Sequence, residues 1–415
     1  MTSTSPPPEQ PFKVTSAADI LSYILHTLGF QPEESLVLLT MCGKRVGATL
    51  RVDLPANNLD PDGYAAGVCS ILASDTTADG SLLAVYTREP LTRTGAPPRR
   101  DLVRSLTRCL DGVGLQLRDG WLVTDTMWRD YFCADPSCCP PSGHSIESVL
   151  TSPLNAELTF RGSSFADSLG AAVESDLPAA WTDPADLAKL CRDEQAKLGH
   201  RWTTPNQAAA TLRLWDCLLA RTASTVPITE VGVAAHLLAS LVSRPIRDAV
   251  LVLAALGWEA AANGLEGNTV RPTGTGPAHL PASARTLLGL DPDQPLPVEP
   301  MESAQAHARD FCDVLIGQYR GQLQWGQVDA AHTLFSRLSA VAVGEPRAAL
   351  LTMLGWIEWA RGRGSRAHVY LGEAMAEIPG YSLAELLEEV VARGMLAEWS
   401  RDRDLAWRNG APHAA

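Results

Sequence analysis

The sequence predicts an α/β N-terminal domain with a mixed sheet, followed by an all-α region that ends in a repeat-like helical bundle. Three observations carry that expectation. Before Trp128, runs that are apolar at nearly every position alternate with runs of apolar residues at three- and four-residue spacing, as buried strands between helices would. After His144 almost every run has the helical spacing alone. Toward the C-terminus the chain echoes itself at an offset of 36 residues.

The elements follow in order. Ser16 with Asp19 three positions on makes a capping box, and Ile20, Leu21, Ile24, Leu25 and Leu28 recur at helical spacing until Gly29. Residues 35–42 are an almost unbroken apolar strand, Gly43-Lys44 a turn, and residues 46–54 a second strand that Pro55 stops, so the pair reads as a hairpin. The first of these strands, apolar on both faces, belongs inside a sheet covered by helices on both sides. Asp60-Pro61 opens a helix that runs to about residue 74, because proline loses nothing at a position whose N–H has no partner. Residues 82–87 are a further buried strand and 99–110 a further helix. Asp119-Gly120 is a turn signal that joins 113–118 to 121–126 as a second hairpin.

Beyond the sheet, Asp183-Pro184, Thr204-Pro205 and Thr229-Glu230 each open a helical run, and Pro245 falls between two of them. Trp181, Trp202, Trp215 and Trp258 read as packing anchors. Residues 263–300 are rich in Gly, Pro, Thr and Asp without periodicity, the composition of a linker, and His279 within them is expected at the solvent surface. The 36-residue offset then pairs Leu323 with Trp359, Gly326 with Gly362, Ala331 with Ala367, Phe335 with Leu371 and Leu338 with Ala374. Small residues where helices approach and large ones that fill the gap follow the logic of tetratricopeptide-type repeats, and an ordinary helical bundle is the competing reading. The expected divisions are a disordered leader at 1–13, the α/β domain at 14–144, a helical domain at 145–262, the linker at 263–300, the repeat-like bundle at 301–399 and a tail at 400–415.

Composition excludes several classes of function. A formal charge of −13 with thinly spread cations leaves no footprint for nucleic acid. The knots Arg99-Arg100 and Arg361, Arg363, Arg366 read as solvated helix ends. The first ten residues are polar and proline-rich, which argues against a secretory signal, and no apolar run is long enough for a membrane span. Nine cysteines, an odd number, point to a reducing cytosol, so a cytoplasmic protein is expected. Neither a Gly-x-Gly-x-x-Gly after a strand nor a Gly-Lys-Ser/Thr loop is present, which disfavours a nucleotide fold.

The candidate chemistry lies in the loop at 128–144, which holds Cys133, Cys138, Cys139 and His144 among Pro136, Pro140 and Pro141. Three readings compete. Thiolates and the imidazole could hold zinc, with Asp135 or a distant residue completing the shell. Cys133 could bridge Cys138 or Cys139 in a reversible disulfide. Or the cysteines could be small hydrophobes in a proline-stiffened connector between sheet and helices. Ser35, Arg51 and Asp53 mark a possible cleft at a strand end, against which stand a turn cap and a local ion pair. Glu388-Glu389 read as solvated.

Several strings together resemble an actinobacterial family known as domain of unknown function 4192. They are Leu28-Gly29-Phe30 with Pro32, Ser35-Leu36-Val37, Arg51-Val52-Asp53-Leu54-Pro55, Cys133 with Cys138-Cys139-Pro140 and Gly143, Arg247-Asp248, and Trp356 with Pro379-Gly380-Tyr381-Ser382-Leu383. The resemblance spans residues 14–399, with the Gly/Pro stretch after Ala262 as its departure, and implies a cytoplasmic protein without transferring any catalytic residue. The expected function is that of a binding or scaffold protein whose helical C-terminal region meets a protein partner, with neither nucleic acid nor membrane involved. The rival is an enzyme with a Cys/His metal or thiol site where sheet and helices join.

Overall fold

The computed structural model describes residues 13–408 apart from 57–58, 91–96, 134, 136, 141, 224–229, 269–276 and 292–304. All but Lys13 of the expected leader, and the last residues of the tail, lie outside that range. The chain divides into two compact units, Met1–Ala172 and Val173–Ala415.

The first unit is built on a six-stranded sheet ordered β2-β1-β3-β4-β5-β6. Helix α1 (Ala17–Leu28) leads into β1 (Ser35–Cys42) and β2 (Arg45–Asp53), then come α2 (Pro61–Leu72), β3 (Gly80–Tyr86), α3 (Arg100–Gly112), β4 (Leu117–Val123), β5 (Met127–Asp130) and β6 (His144–Ser145). Only β3 and β4 run parallel, linked by the α3 crossover, and the other neighbours are antiparallel. This is the mixed sheet that the alternating pattern implied. Alternation explains the layers: Leu36 and Leu38 of β1 join α2 and α3 on one face, while Val37 and Leu39 join α1 on the other. Burial on both faces is why β1 reads as a continuous apolar run.

The capping box forms as its residues dictate. Ser16 Oγ accepts from Asp19 N at 3.2 Å and Asp19 Oδ2 from Ser16 N at 3.1 Å, and Gly29 ends α1 with a φ of +78° that favours glycine. Two short helices, α4 (Glu147–Leu150) and α5 (Pro153–Phe160), then pack back on α1. Asp19 Oδ1 accepts from Leu154 N at 3.2 Å, and His26 reaches Asn155 Oδ1 at 3.0 Å and Ser163 Oγ at 2.9 Å. Residues 145–172 therefore stay with the sheet unit, whereas the sequence placed the helical domain from 145.

The second expected hairpin does not exist. Asp119-Gly120 lies inside the single strand β4, and the turn to β5 is at Thr124, whose N–H donates to Met127 O at 2.8 Å. Gly120 serves no turn: it lies within the strand, where a Cβ would stand 3.0 Å from the ring of the exposed Phe132 and 3.4 Å from Leu83.

Helix α6 (Leu169–Ser175) spans the division, and every element of the second unit among the described residues is a helix. It comprises α7 (Pro184–Leu198), α8 (Pro205–Ala223), α9 (Val231–Ser240), α10 (Arg244–Leu256), α11 (Trp258–Asn268), α12 (Ala282–Leu287), α13 (Gln305–Leu315), α14 (Trp325–Ser339), α15 (Glu345–Ala360), α16 (Gly364–Glu377) and α17 (Ser382–Ala392), with 3₁₀ turns at Gly199–Thr203 and Glu398–Arg401. Trp202 and Trp215 are core residues, and Trp181 and Trp258 pack at its edge beneath Arg337 and Arg213. The linker begins later than its composition suggests. Helix α11 runs on past Ala262 because Gly264 lets Phe311 approach, and Leu280 and Ala284 are buried.

The 36-residue offset has a structural meaning: it brings α14 into register with α16, the two helices that each pack on α15, and Ala331, Ala367, Phe335, Leu371, Leu338 and Ala374 are all fully buried. Between α15 and α16 the backbones close up at Gly355, where a Cβ would lie 2.8 Å from Leu371. Arg100 of the first arginine knot is exposed as expected, but the second knot is not solvated. Arg361 and Arg366 converge on the fully buried Glu358, at 2.5 Å (Oε1) and 3.2 Å (Oε2), with Arg363 at 3.7 Å and His332 at 3.3 Å. Burial opposes the charge of Glu358, but His332 and the arginines outweigh it and hold the carboxyl far below its ordinary range. Arg99 is likewise buried for the most part, in the left-handed region at φ +60°, with its Nη1 on Pro55 O at 2.9 Å.

Candidate metal centre

The cysteine loop leaves the sheet at the end of β5 and is shaped by two aspartates. Asp130 Oδ1 accepts from Phe132 N at 2.7 Å and Cys133 N at 2.8 Å, which turns the chain. Asp135 Oδ1 accepts from Ser137 N and Ser137 Oγ, both at 2.8 Å, and its carbonyl accepts from Cys139 N at 2.9 Å. The chain doubles back on itself. Cys133 Sγ comes to 3.1 Å from Cys138 Sγ, Cys138 Sγ lies 3.7 Å from Cys139 Sγ, and all three sulfurs fall within 4.8 Å of one another.

These spacings suit a soft metal. A tetrahedral zinc with Zn–S bonds of about 2.3 Å sets its sulfurs ~3.8 Å apart, which the Cys138–Cys139 pair already matches. The loop is accessible, with Cys138 exposed and the other two half-buried. Its electrostatics suit a cation as well. Hydrogen bonding from Cys138 lowers the Cys133 thiol, while the Cys138 thiol is raised chiefly by its bond to Cys133. Burial and both neighbouring thiols push Cys139 up to about 12. One thiolate forms readily and further ionisation is opposed until positive charge arrives.

The other expected ligand stands elsewhere. His144 pairs with Trp128 across β5 and β6 and stacks on its indole at 4.6 Å, and the thiol group gathers only the three cysteines among the described residues. Asp135 is engaged in shaping the loop rather than facing the sulfurs. The possible cleft residues do meet: Arg51 Nε donates to Ser35 Oγ at 2.9 Å, and Arg51 Nη2 pairs with Asp53 at 2.6 Å. Ser35 is fully buried and donates to Glu33 O at 2.5 Å, so the three form a local cross-strand tie.

A second polar cluster was invisible in the sequence reading. Glu194 of α7 accepts from the fully buried His236 of α9 at 2.9 Å and faces His279 at 3.5 Å, and Lys197 Nζ lies 2.7 Å from His279 Nε2. His279 is thus half-buried among companions instead of solvent-exposed, and Gln207 fixes its backbone by bonds of 2.7 and 2.9 Å. His236 also reaches Thr211 at 3.5 Å, but Thr211 is fully buried and so cannot meet a substrate. The signal that could have found the cluster is His236 itself, a lone imidazole inside the apolar run of α9.

Fold and site together define an α/β unit bearing an accessible three-thiol cluster, with a separate all-helical unit after it. The chain belongs to the family described as domain of unknown function (DUF4192), whose model matches residues 18–290 and 322–398. Neither a curated protein nor a solved structure matches it.

Proposed function

We propose that this protein binds a thiophilic metal ion, zinc foremost, through Cys133, Cys138 and Cys139. The convergence of the three sulfurs within 4.8 Å carries the reading. Three protein ligands with an open fourth position is the pattern of metal sites that take water or a substrate, whereas structural sites are closed by four. The bound ion would polarise a group at that position, and the thiolates would supply the charge that holds it. Among the described residues no helix is long and apolar enough to cross a membrane. A cytoplasmic location is part of the same reading, since thiolate ligands of this kind require reduced cysteines.

A second reading, a protein-interaction role for the helical unit, draws support from the matching burial of equivalent positions in α14 and α16, each packed on α15. The metal reading is tested first. Protein purified with zinc in the medium and desalted should carry about one equivalent per chain by mass spectrometry, as a single site requires. Serine at Cys133, Cys138 or Cys139 should each remove it without loss of helical circular dichroism. Absence of metal in the parent, or undiminished metal in the triple-serine variant, overturns the reading.

A further inference from the structure

The thiol loop holds its sulfurs unequally. Cys133 Sγ and Cys138 Sγ are 3.1 Å apart, so closing to a disulfide of about 2.0 Å needs an approach of only ~1 Å. The backbone between them is already turned back by Asp130 and Asp135, which means that the bond would lock a conformation the reduced loop has adopted. Cys138 and Cys139 lie farther apart, at 3.7 Å, and as chain neighbours they could bond only through a small, strained ring containing their own peptide group. Cys138 is exposed and Cys133 half-exposed, so an oxidant or an exchanging thiol can reach the pair.

From this geometry we infer that Cys133 and Cys138 form a reversible dithiol–disulfide pair, with Cys139 remaining a thiol. The oxidant is a hydroperoxide. The Cys133 thiolate attacks its outer oxygen, the O–O bond breaks, and the departing alkoxide takes a proton and leaves as alcohol. Cys133 is then a sulfenic acid. The Cys138 sulfur, giving up its proton, attacks that sulfur, the S–S bond forms, and hydroxide departs as water after taking a proton. Two thiols and one hydroperoxide thus give one disulfide, one alcohol and one water, and sulfur loses the two electrons that the peroxide gains. A small dithiol reverses the change by two exchanges and leaves as its own disulfide. Oxidation removes two of the three sulfur donors, so a bound metal leaves; that consequence rests on the metal-binding reading, whereas the disulfide does not.

The full-length protein is treated with hydrogen peroxide in metal-free and zinc-loaded forms, quenched with N-ethylmaleimide, cut before Asp135 and analysed by mass spectrometry. The expected product links the Cys133 fragment to Cys138, with Cys139 alkylated, and dithiothreitol restores alkylation of all three. Cys139→Ser keeps the link, and adding Cys138→Ser to it leaves a sulfenic acid at Cys133 that dimedone traps. A link through Cys139, or three alkylated thiols after peroxide, overturns the inference. Zinc release, followed with a chromogenic chelator, should keep pace with loss of thiols. A disulfide in protein that never retains zinc sinks the metal reading alone, and retained zinc with no disulfide sinks this one alone.

Discussion

Glu194 and His236 sit 2.9 Å apart inside the helical unit, the carboxylate largely buried and the imidazole wholly so. Burial raises the pKa of Glu194, but the hydrogen bond from His236 and the charges of His236, His279 and Lys197 win, holding the carboxyl at about 2. Burial, with Lys197 beside it, in turn lowers His279. A carboxyl depressed in the folded state stabilises fully above its unfolded pKa and loses that contribution as pH falls through the folded value. The acid limb of a stability–pH curve should therefore fall between about pH 4.5 and pH 2, by on the order of 2–3 kcal/mol. His279 acts in the same sense, since the unfolded chain takes up its proton first. Glu194→Gln should flatten the limb in urea titrations at stepped pH; an unchanged limb refutes the assignment.

Removing the charge from Glu358 leaves Arg361, Arg363 and Arg366 crowded around a neutral group in the interior. Glu358→Gln should cost about 3–5 kcal/mol in denaturant unfolding, the penalty for breaking a buried ion cluster on one side. Glu389→Gln, whose partner Arg393 is exposed, should stay within about 0.5 kcal/mol.

The tight approach at Gly355 predicts overpacking. Gly355→Ala should destabilise by about 1–3 kcal/mol, because the new methyl meets the fully buried Leu371 at 2.8 Å. In the double variant with Leu371→Ala the two losses should sum to less than their separate values. Strict additivity would mean that the helices had moved apart.

Asp19 serves two helices and Ser16 one. Ser16→Ala should cost ~1 kcal/mol, as for other N-caps. Asp19→Ala should cost more, ~2–3 kcal/mol, since it also strips the acceptor from Leu154 N and the bonds to Thr15. Thermal unfolding of the two variants should rank them in that order.

His144→Ala separates the two roles assigned to this histidine. Metal content should be unchanged, and stability should drop by ~1 kcal/mol through loss of the stack on Trp128. Metal loss without destabilisation would return His144 to the coordination shell.

Local signals in the sequence were reliable where one segment decides its own structure. Ser16 with Asp19, Asp60 before Pro61 and Asp183 before Pro184 all cap the helices they announce. Apolar runs placed β1 and β3 between layers for the same reason, and the closeness of the three cysteines in the chain anticipated their closeness in space. Where a residue answers to a distant partner, the signal misled. Gly120 lies within a strand beside Phe132, not in a turn. The arginines after α15 read as solvated because Glu358 is an ordinary-looking carboxylate until its helix is packed. His279 lies 43 residues from His236 and 85 from Glu194 in sequence, so no spacing rule could bring them together.

The contact between Gly120 and Phe132 ties chemistry to architecture. Phe132 precedes Cys133 and rests over the middle of β4, while Tyr131 N donates to Gly120 O at 2.8 Å. The thiol loop is thereby tied to β4 through the bond just before it, and whatever tightens or loosens the sulfurs should register as altered amide exchange along β4.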